Sequence, residues 1–172
     1  MNKIYQPLSA SQVESALGLG TRILKYSELK NYETINDLLP NINDFVILLL
    51  EDSQNHGHWT CLMKYDNDKY YYFNSYGKKY DTDLSVVPMC IRRILGQENK
   101  EIARLLDGKT CSWNKNAFQN ERSQVCGRYC ILAVSMITKM GFSPPDFERF
   151  LLEKSKLANK SVDSMIAGFV PI

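Results

Sequence analysis

HWTCLMKYDNDKYYYFNSYG, residues 58–77, contains two runs rich in strand-forming residues on either side of a short turn sequence. The runs cover 59–65 and 69–76, and the Asp66-Asn67-Asp68 segment between them is typical of a turn. The sequence therefore predicts a β-hairpin. The apolar run from Asp44 to Leu50 predicts a buried strand just before this hairpin.

Helical patterns flank this sheet region on both sides. The predicted helices cover residues 9–17 with Ser9 or Ser11 as the cap, parts of 21–39, much of 84–106 with Pro88 near its start and Gly96 as a candidate break, and 143–156 with Pro144 or Pro145 in the first turn. A short strand is expected around Trp113 to Gln119. Strands in the middle of the chain with helices at both ends predict an α+β fold.

The composition is typical of one globular domain, which we place at residues 1–172. Of these residues 44% are hydrophobic, and 21 Lys and Arg face 19 Asp and Glu, a balance that gives no support for strong nucleic-acid binding. The five cysteines form no closely spaced CxxC pair, so we expect no metal site, no cofactor and a reducing compartment. No apolar run is long enough to span a bilayer, so we expect a soluble protein without a membrane partner.

Cys126 lies where a polar segment changes into a dense apolar one. The apolar residues from Tyr129 to Ile137 predict a buried helix, which places Cys126 in its first turn. The unpaired N–H groups and the helix dipole favour an anion there, and the thiolate is the nucleophilic form of cysteine. Gly127 would leave room beside the sulfur for another backbone. Because free cysteines are commonly buried as small hydrophobic residues, the prediction of a nucleophile depends on a nearby base.

His58 is the candidate base. The other histidine, His56, is the weaker candidate because it is expected in the loop before the strand. The hairpin would bring Asn74, at the end of the second strand, beside His58, where its amide could orient the imidazole. Trp59 could shield one face of the ring. Cys126, His58 and Asn74 together predict a nucleophile, a base and an orienting group.

The oxyanion that forms on a substrate carbonyl needs hydrogen-bond donors. The backbone N–H of Cys126 is one candidate, and the amide of Gln119, in the loop before the helix, is the second. Gln124 competes for this role, but we expect it to point away as part of the turn.

The order of these residues resembles the adenovirus-type cysteine protease, adenain, and related proteases of large DNA viruses and virophages, as well as the SUMO-specific proteases. His58-Trp59 is similar to the HW pair of that family, and Asn74 in FNSYG matches the third position of its catalytic triad. Gln119 precedes Cys126-Gly127 with a similar Gln-x6-Cys-Gly spacing. The third position is usually Asp or Glu in the family, and the Asn of this chain departs from that pattern. On this basis Asn74→Asp is expected to retain activity and to raise the pKa of His58.

The resemblance implies a papain-like fold in the adenain-type circular permutation, with the nucleophile at the N-terminus of a buried helix against a central sheet. It implies a cysteine endopeptidase that cleaves structural precursor polypeptides after glycine-containing sites during virion maturation, in the virion or the host cytoplasm. Trp59 and Gly127 are the expected substrate contacts. An activating peptide or nucleic acid is a further partner that the family allows.

Three alternatives stay open at this point. They are a ubiquitin-like-protein protease, an effector acetyltransferase that uses the same thiol, and a binding protein in which Cys126 and His58 only pack. Of the other cysteines, Cys61 and Cys130 are expected in the core, and Cys90 and Cys111 are expected near the surface. The resemblance suggests that one of the latter two could bind an activating peptide through a disulfide.

Overall fold

The computed structural model of the protein describes residues 3–159, 161–170 and 172, and has a central five-stranded mixed sheet with helices on both faces. The strands are β1 (Ile23–Lys25), β2 (Phe45–Ser53), β3 (His56–Asp66), β4 (Lys69–Phe73) and β5 (Thr110–Trp113). The α-helices are α1 (Ala10–Leu17), α2 (Ile35–Leu38), α3 (Met89–Leu95), α4 (Glu101–Leu105), α5 (Cys126–Val134), α6 (Pro144–Ala158) and α7 (Val162–Phe169). Short 3-10 helices cover Lys3–Tyr5, Tyr26–Asn31 and Thr82–Val86, and a π-helical turn, Ser135–Lys139, follows α5.

The strands are ordered β1-β2-β3-β4-β5 across the sheet. The inner pairs, β2 with β3 and β3 with β4, are antiparallel. At the two edges, β1 pairs with β2 and β5 pairs with β4, both in parallel. In the inner register His58 lies opposite Leu50, and Cys61 lies opposite Phe73. The long central strand β3 therefore carries His58 near one end and core residues along its length.

Both faces of the sheet are buried. Val46, Leu48 and Leu50 pack with α2, α4 and the 3-10 helix before α2, while Ile47 and Leu49 pack on the opposite face with α1, α5, α6 and α7. Successive side chains of a strand point to opposite faces, so a strand covered on both faces must be apolar throughout. This is the physical reason for the uninterrupted apolar run in β2.

Several local predictions are confirmed. The mixed α and β composition is observed, and the hairpin turns at Asn67 and Asp68 between β3 and β4. Ser9 is the N-cap of α1, with its side chain accepting a hydrogen bond from the Gln12 N–H. Ser143 caps α6, which has proline in its first turn. These signals are local, so neighbouring residues suffice to specify them.

One prediction about the elements is wrong, and two others are confirmed with additions. The strand expected around residues 113–119 ends at Trp113, because the buried side chain of Asn114 takes over the backbone groups at the end of β4. The candidate break at Gly96 in the helical region 84–106 is confirmed, because α3 ends at Gly96 in a left-handed conformation with a φ of 69° and α4 begins only at Glu101. The short helices expected in parts of 21–39 are observed at Tyr26–Asn31 and in α2, whereas the three-residue strand β1 and the helix α7 were not predicted.

Candidate active site

Cys126 is the first residue of α5 and is 8% exposed. The helix packs against β3 and begins after Val125, whose side chain makes no capping hydrogen bond. A valine cannot accept one, so the side chain that precedes the helix leaves its first N–H groups uncapped. The thiol therefore lies beside backbone donors and the positive end of a helix dipole.

The His58 ring lies between the thiol and an amide. Its Nε2 is 2.9 Å from Asn74 Oδ1, and the Cys126 side chain is near enough to the ring to raise the pKa of His58. Since Nε2 is engaged by Asn74, Nδ1 is the nitrogen left for the sulfur. Tyr76 stacks on the imidazole with ring centroids 4.7 Å apart and an interplanar angle of 29°. The structure thus brings together the three side chains that the sequence assigned to a triad.

The electrostatic surroundings favour the charged form of His58. Burial by itself lowers the pKa of His58, but the hydrogen bond and charge interaction with Cys126 raise it, as do the hydrogen bond with Asn74 and the charge of Asp83. On balance the pKa of His58 lies above its usual value. An imidazolium beside a thiolate is the arrangement that activates a cysteine for nucleophilic attack.

Asn74 follows β4 directly and is fully buried. Its Oδ1 accepts hydrogen bonds from His58 and from the Tyr76 backbone N–H, the latter at 2.9 Å. Its Nδ2 donates to Asp83 Oδ2 at 2.5 Å. The Asp83 carboxylate can only accept a hydrogen bond, and the Tyr76 N–H can only donate one. Together they determine that the Oδ1 end of the amide faces His58.

The backbone of Asn74 is held by Asn114. The Asn74 N–H donates to Asn114 Oδ1 at 3.0 Å, and Asn114 Nδ2 donates to the Asn74 carbonyl at 2.6 Å. Gly77 N–H donates to the same carbonyl at 2.8 Å. Sequence reasoning missed Asp83 and Asn114, because no local pattern relates Asn74 to residues 9 and 40 positions away. It also missed the stacking of Tyr76 on His58.

Gln119 is buried in the loop before α5, next to the strand end that carries Asn74. Its Oε1 accepts from Ser75 Oγ at 2.6 Å, and its Nε2 donates to the Ser123 carbonyl at 2.9 Å. A primary amide has two N–H groups, so one remains beyond the bond to Ser123. Gln124 is exposed, as its predicted place in the turn requires.

Trp59 and Gly127 contact each other. The Trp59 indole N–H donates to the Leu8 carbonyl at 2.9 Å, and a Cβ atom added at Gly127 would lie 3.2 Å from both Leu8 Cβ and Trp59 Cδ1. Side chains of this chain therefore fill the space that the sequence reserved for another backbone. Contact of Gly127 with a substrate stays a prediction. Trp59 also lines a surface groove of about 660 Å³, together with Leu8, Ile23 and Leu49.

His56 is separate from this arrangement. It is the first residue of β3 rather than part of a loop, is exposed, and pairs through Nδ1 with Asp52 Oδ1 at 2.9 Å. His56 is thus paired with Asp52 at the surface, and His58 is the histidine that lies in the site.

Comparison with known proteins relates the chain to a virophage. It is 33% identical over 136 residues to a protein of Sputnik virophage named "Uncharacterized protein V9", and the match covers 76% of this chain and 77% of the relative. The chain belongs to the V9 family. A viral relative agrees with the viral part of the sequence interpretation, while the name V9 states no activity. No family model matches this V9-family chain.

The remaining cysteines of the V9-family chain are free thiols. Cys61 on β3 and Cys130 on α5 are buried and hydrogen bonded to each other, and burial raises the pKa of Cys130 well above its usual value. Cys90 is exposed, as expected, but Cys111 is largely covered and burial raises its pKa to about 12. Cys111 is thus a protonated thiol at neutral pH and a poor nucleophile.

Within the described parts of this V9-family chain, no helix is long and apolar enough to cross a membrane. The same residues include no group of three or more His, Cys, Asp or Glu side chains placed to hold a metal ion.

Proposed function

We propose that the protein is a cysteine endopeptidase with Cys126 as the nucleophile, His58 as the general base and acid, and Asn74 as the group that orients His58. One observation carries the proposal. The His58 ring is hydrogen bonded to Asn74 Oδ1 and has its pKa raised by the Cys126 side chain, while Cys126 begins α5. Nucleophile, base and orienting group are the parts that thiol-dependent acyl transfer requires.

The proposed reaction follows from these contacts. The Cys126 thiol transfers its proton to His58 Nδ1, and the thiolate attacks the carbonyl carbon of the scissile peptide bond. The N–H of Cys126 and the second N–H of Gln119 Nε2 would bind the resulting oxyanion. The imidazolium then gives its proton to the leaving amine, and water, activated by His58, hydrolyses the thioester to release the acid and the free thiol.

The substrates we propose are structural precursor polypeptides of a virus, processed during virion maturation. The chain order of histidine on a strand, amide after the next strand, and cysteine at a helix start supports a papain-like fold in the adenain-type permutation. The virophage relative supports a viral setting.

Cleavage after glycine is a first prediction of this proposal. The resemblance to the adenain-type proteases, which cleave after glycine-containing sites, is the basis of this prediction. Incubating the protein with a peptide library and sequencing the products would measure the preference. A profile dominated by bulky or charged residues immediately before the cut would contradict it.

The decisive variant is Cys126→Ala. We expect it to abolish cleavage of library peptides and to leave the circular dichroism spectrum unchanged, because the sulfur is the attacking atom. Cys90→Ala, which removes an exposed thiol outside the site, is the matched control and should cleave like the native protein. Turnover by Cys126→Ala at the native rate would overturn the mechanism.

Alkylation separates an enzyme from a binding protein without any substrate. Iodoacetamide should label Cys126 faster than the exposed Cys90, although Cys126 is the more buried thiol. Slower labelling of Cys126 at every pH would favour a packing role. Peptide acetylation from acetyl-coenzyme A in place of cleavage would identify a transferase.

A further inference from the structure

Asp83 lies at the opposite end of the Asn74 amide from His58. It belongs to the 3-10 helix Thr82–Val86, its side chain is 11% exposed, and its Oδ2 accepts the 2.5 Å hydrogen bond from Asn74 Nδ2. Sequence reasoning gave this residue no role. Resting on the proposed function, we propose that Asp83 is a positioning residue that holds the Asn74 carbonyl toward His58 and supplies the negative charge that Asn74 lacks.

The orientation of the Asn74 amide follows from the chemistry of Asp83. An ionised carboxylate accepts hydrogen bonds and donates none, so it selects the NH₂ end of the amide. The Oδ1 end must then face His58, where it accepts the Nε2 proton. A flipped amide would present a donor to Nε2 and would move the ring proton to Nδ1, the nitrogen that must accept from Cys126. Asp83 therefore selects the productive tautomer through Asn74.

Asp83 also contributes charge to the site. The Asn74 side chain separates the Asp83 carboxylate from the His58 ring. At this distance a carboxylate stabilises an imidazolium without contacting it. The other ionisable groups near the ring are Cys126, Tyr76, Lys78 and Asp52. Lys78 Nζ lies 3.1 Å from Asp83 Oδ1 and offsets part of the charge, with its side chain 46% exposed. Removing the charge of either Asp83 or Lys78 should therefore change the pKa of His58.

This contact reverses the sequence-based expectation for Asn74→Asp. A carboxylate at position 74 would replace the donor that faces Asp83 and would place two carboxylates within hydrogen-bond distance of each other. Such pairs share a proton, because both members cannot ionise at that separation without a large cost. We therefore expect Asn74→Asp to lower activity while Asp83 is present.

Imidazole NMR titration tests the charge effect without a substrate. With only two histidines in the chain, His56→Gln assigns the His58 signals. We expect Asp83→Asn to lower the pKa of His58 by about half a unit to one unit, and Lys78→Gln to raise it, since the first removes a negative and the second a positive charge. Asp52→Asn is the control, because it removes a carboxylate that lines the same pocket without touching Asn74, and its solvent exposure should make the shift in the pKa of His58 smaller than in Asp83→Asn.

A swap of the two residues tests the orientation effect. Peptide cleavage should fall about tenfold in kcat/KM for Asp83→Asn and for Asn74→Asp. The double variant Asn74→Asp/Asp83→Asn restores one carboxylate and one amide in contact, and should return to within about threefold of the native kcat/KM. Rescue of this kind is not expected if Asp83 only stabilises the fold.

The two measurements distinguish this inference from the proposed function. A fall in the His58 pKa in Asp83→Asn together with a rise in Lys78→Gln supports the inference even if no peptide is cleaved, in which case only the proposed function fails. Normal cleavage with an unchanged His58 pKa in both variants overturns the inference and leaves the protease in place. If Asp83→Asn does not fold, an unchanged pKa in the surface variant Lys78→Gln is sufficient to overturn it.

Discussion

Gly77 illustrates how single residues hold the site. It has a φ of 70°, a left-handed conformation that favours glycine, and its N–H donates to the Asn74 carbonyl at 2.8 Å. A Cβ atom at this position would lie 2.6 Å from the Asn116 carbonyl carbon and 2.7 Å from the Ala117 nitrogen. These neighbours are backbone atoms and cannot rotate away, so the loop that carries Asn74 depends on this glycine.

We expect Gly77→Ala to lower the free energy of unfolding by about 2–4 kcal/mol, from left-handed strain plus the backbone clash. Gly108→Ala is the matched control, because Gly108 has a φ of 71° and nothing lies within 4 Å of its added Cβ. That control should lose about 1 kcal/mol, from strain alone. Urea unfolding measures both, and equal losses would show that the contact with residues 116–117 is unimportant.

At the scale of elements, a buried side chain continues the sheet beyond the last residues of β4 and β5. Asn114 is fully buried, and its amide binds both backbone groups of Asn74 and the Asn116 carbonyl. Its hydrogen bonds connect β4 and β5 just beyond their last paired residues. They also orient Asn74, which contacts His58. The stability of the sheet edge and the geometry of the site are coupled at this amide.

Asn114→Ala should lower the free energy of unfolding by about 2–3 kcal/mol, because it leaves the buried Asn74 N–H without its acceptor. It should also lower kcat/KM, since Asn74 would no longer be held against His58. The neighbouring exposed side chain supplies the control, Asn116→Ala, which should change neither quantity. Thermal unfolding and peptide cleavage would be compared for the two variants. A stable Asn114→Ala with native activity would refute the coupling.

At the scale of the whole molecule, Arg128 connects both ends of the described chain to the nucleophile helix. This fully buried guanidinium donates to the carbonyls of Gln6 at 2.7 Å, Val170 at 3.3 Å and Ile172 at 3.1 Å. The three carbonyls replace the water that the charge loses on burial. Segments more than 100 residues apart in sequence thus meet two residues after Cys126.

Arg128→Met keeps much of the apolar volume and removes these hydrogen bonds. We expect a loss of about 2–4 kcal/mol in the free energy of unfolding and faster proteolysis of both terminal segments. Arg122→Met, at an exposed position in the loop before α5, should match the native protein. Equal protease resistance of the two variants would contradict the connecting role.

The sequence by itself determined the features that local chemistry specifies. Strand-forming residues on either side of a turn sequence in 58–77 predicted the hairpin, and an apolar run after Cys126 predicted the helix that begins there. The hairpin placed Asn74 near His58, because a hairpin turn determines which parts of its two strands lie side by side. Cys126 was assigned to the same site from its chemical role and from the resemblance to the protease family.

Only the tertiary structure decided the contacts between distant segments. The three residues of β1 form a strand because β2 offers a parallel edge, and the predicted strand after Trp113 gives way to a loop because the Asn114 amide already satisfies the end of β4. Likewise, the pairing of Asn74 with Asp83 depends on how the chain after β4 turns back on the sheet. Such contacts are selected by burial, since a polar group removed from water must find a partner wherever the fold supplies one, and sequence spacing does not encode that partner.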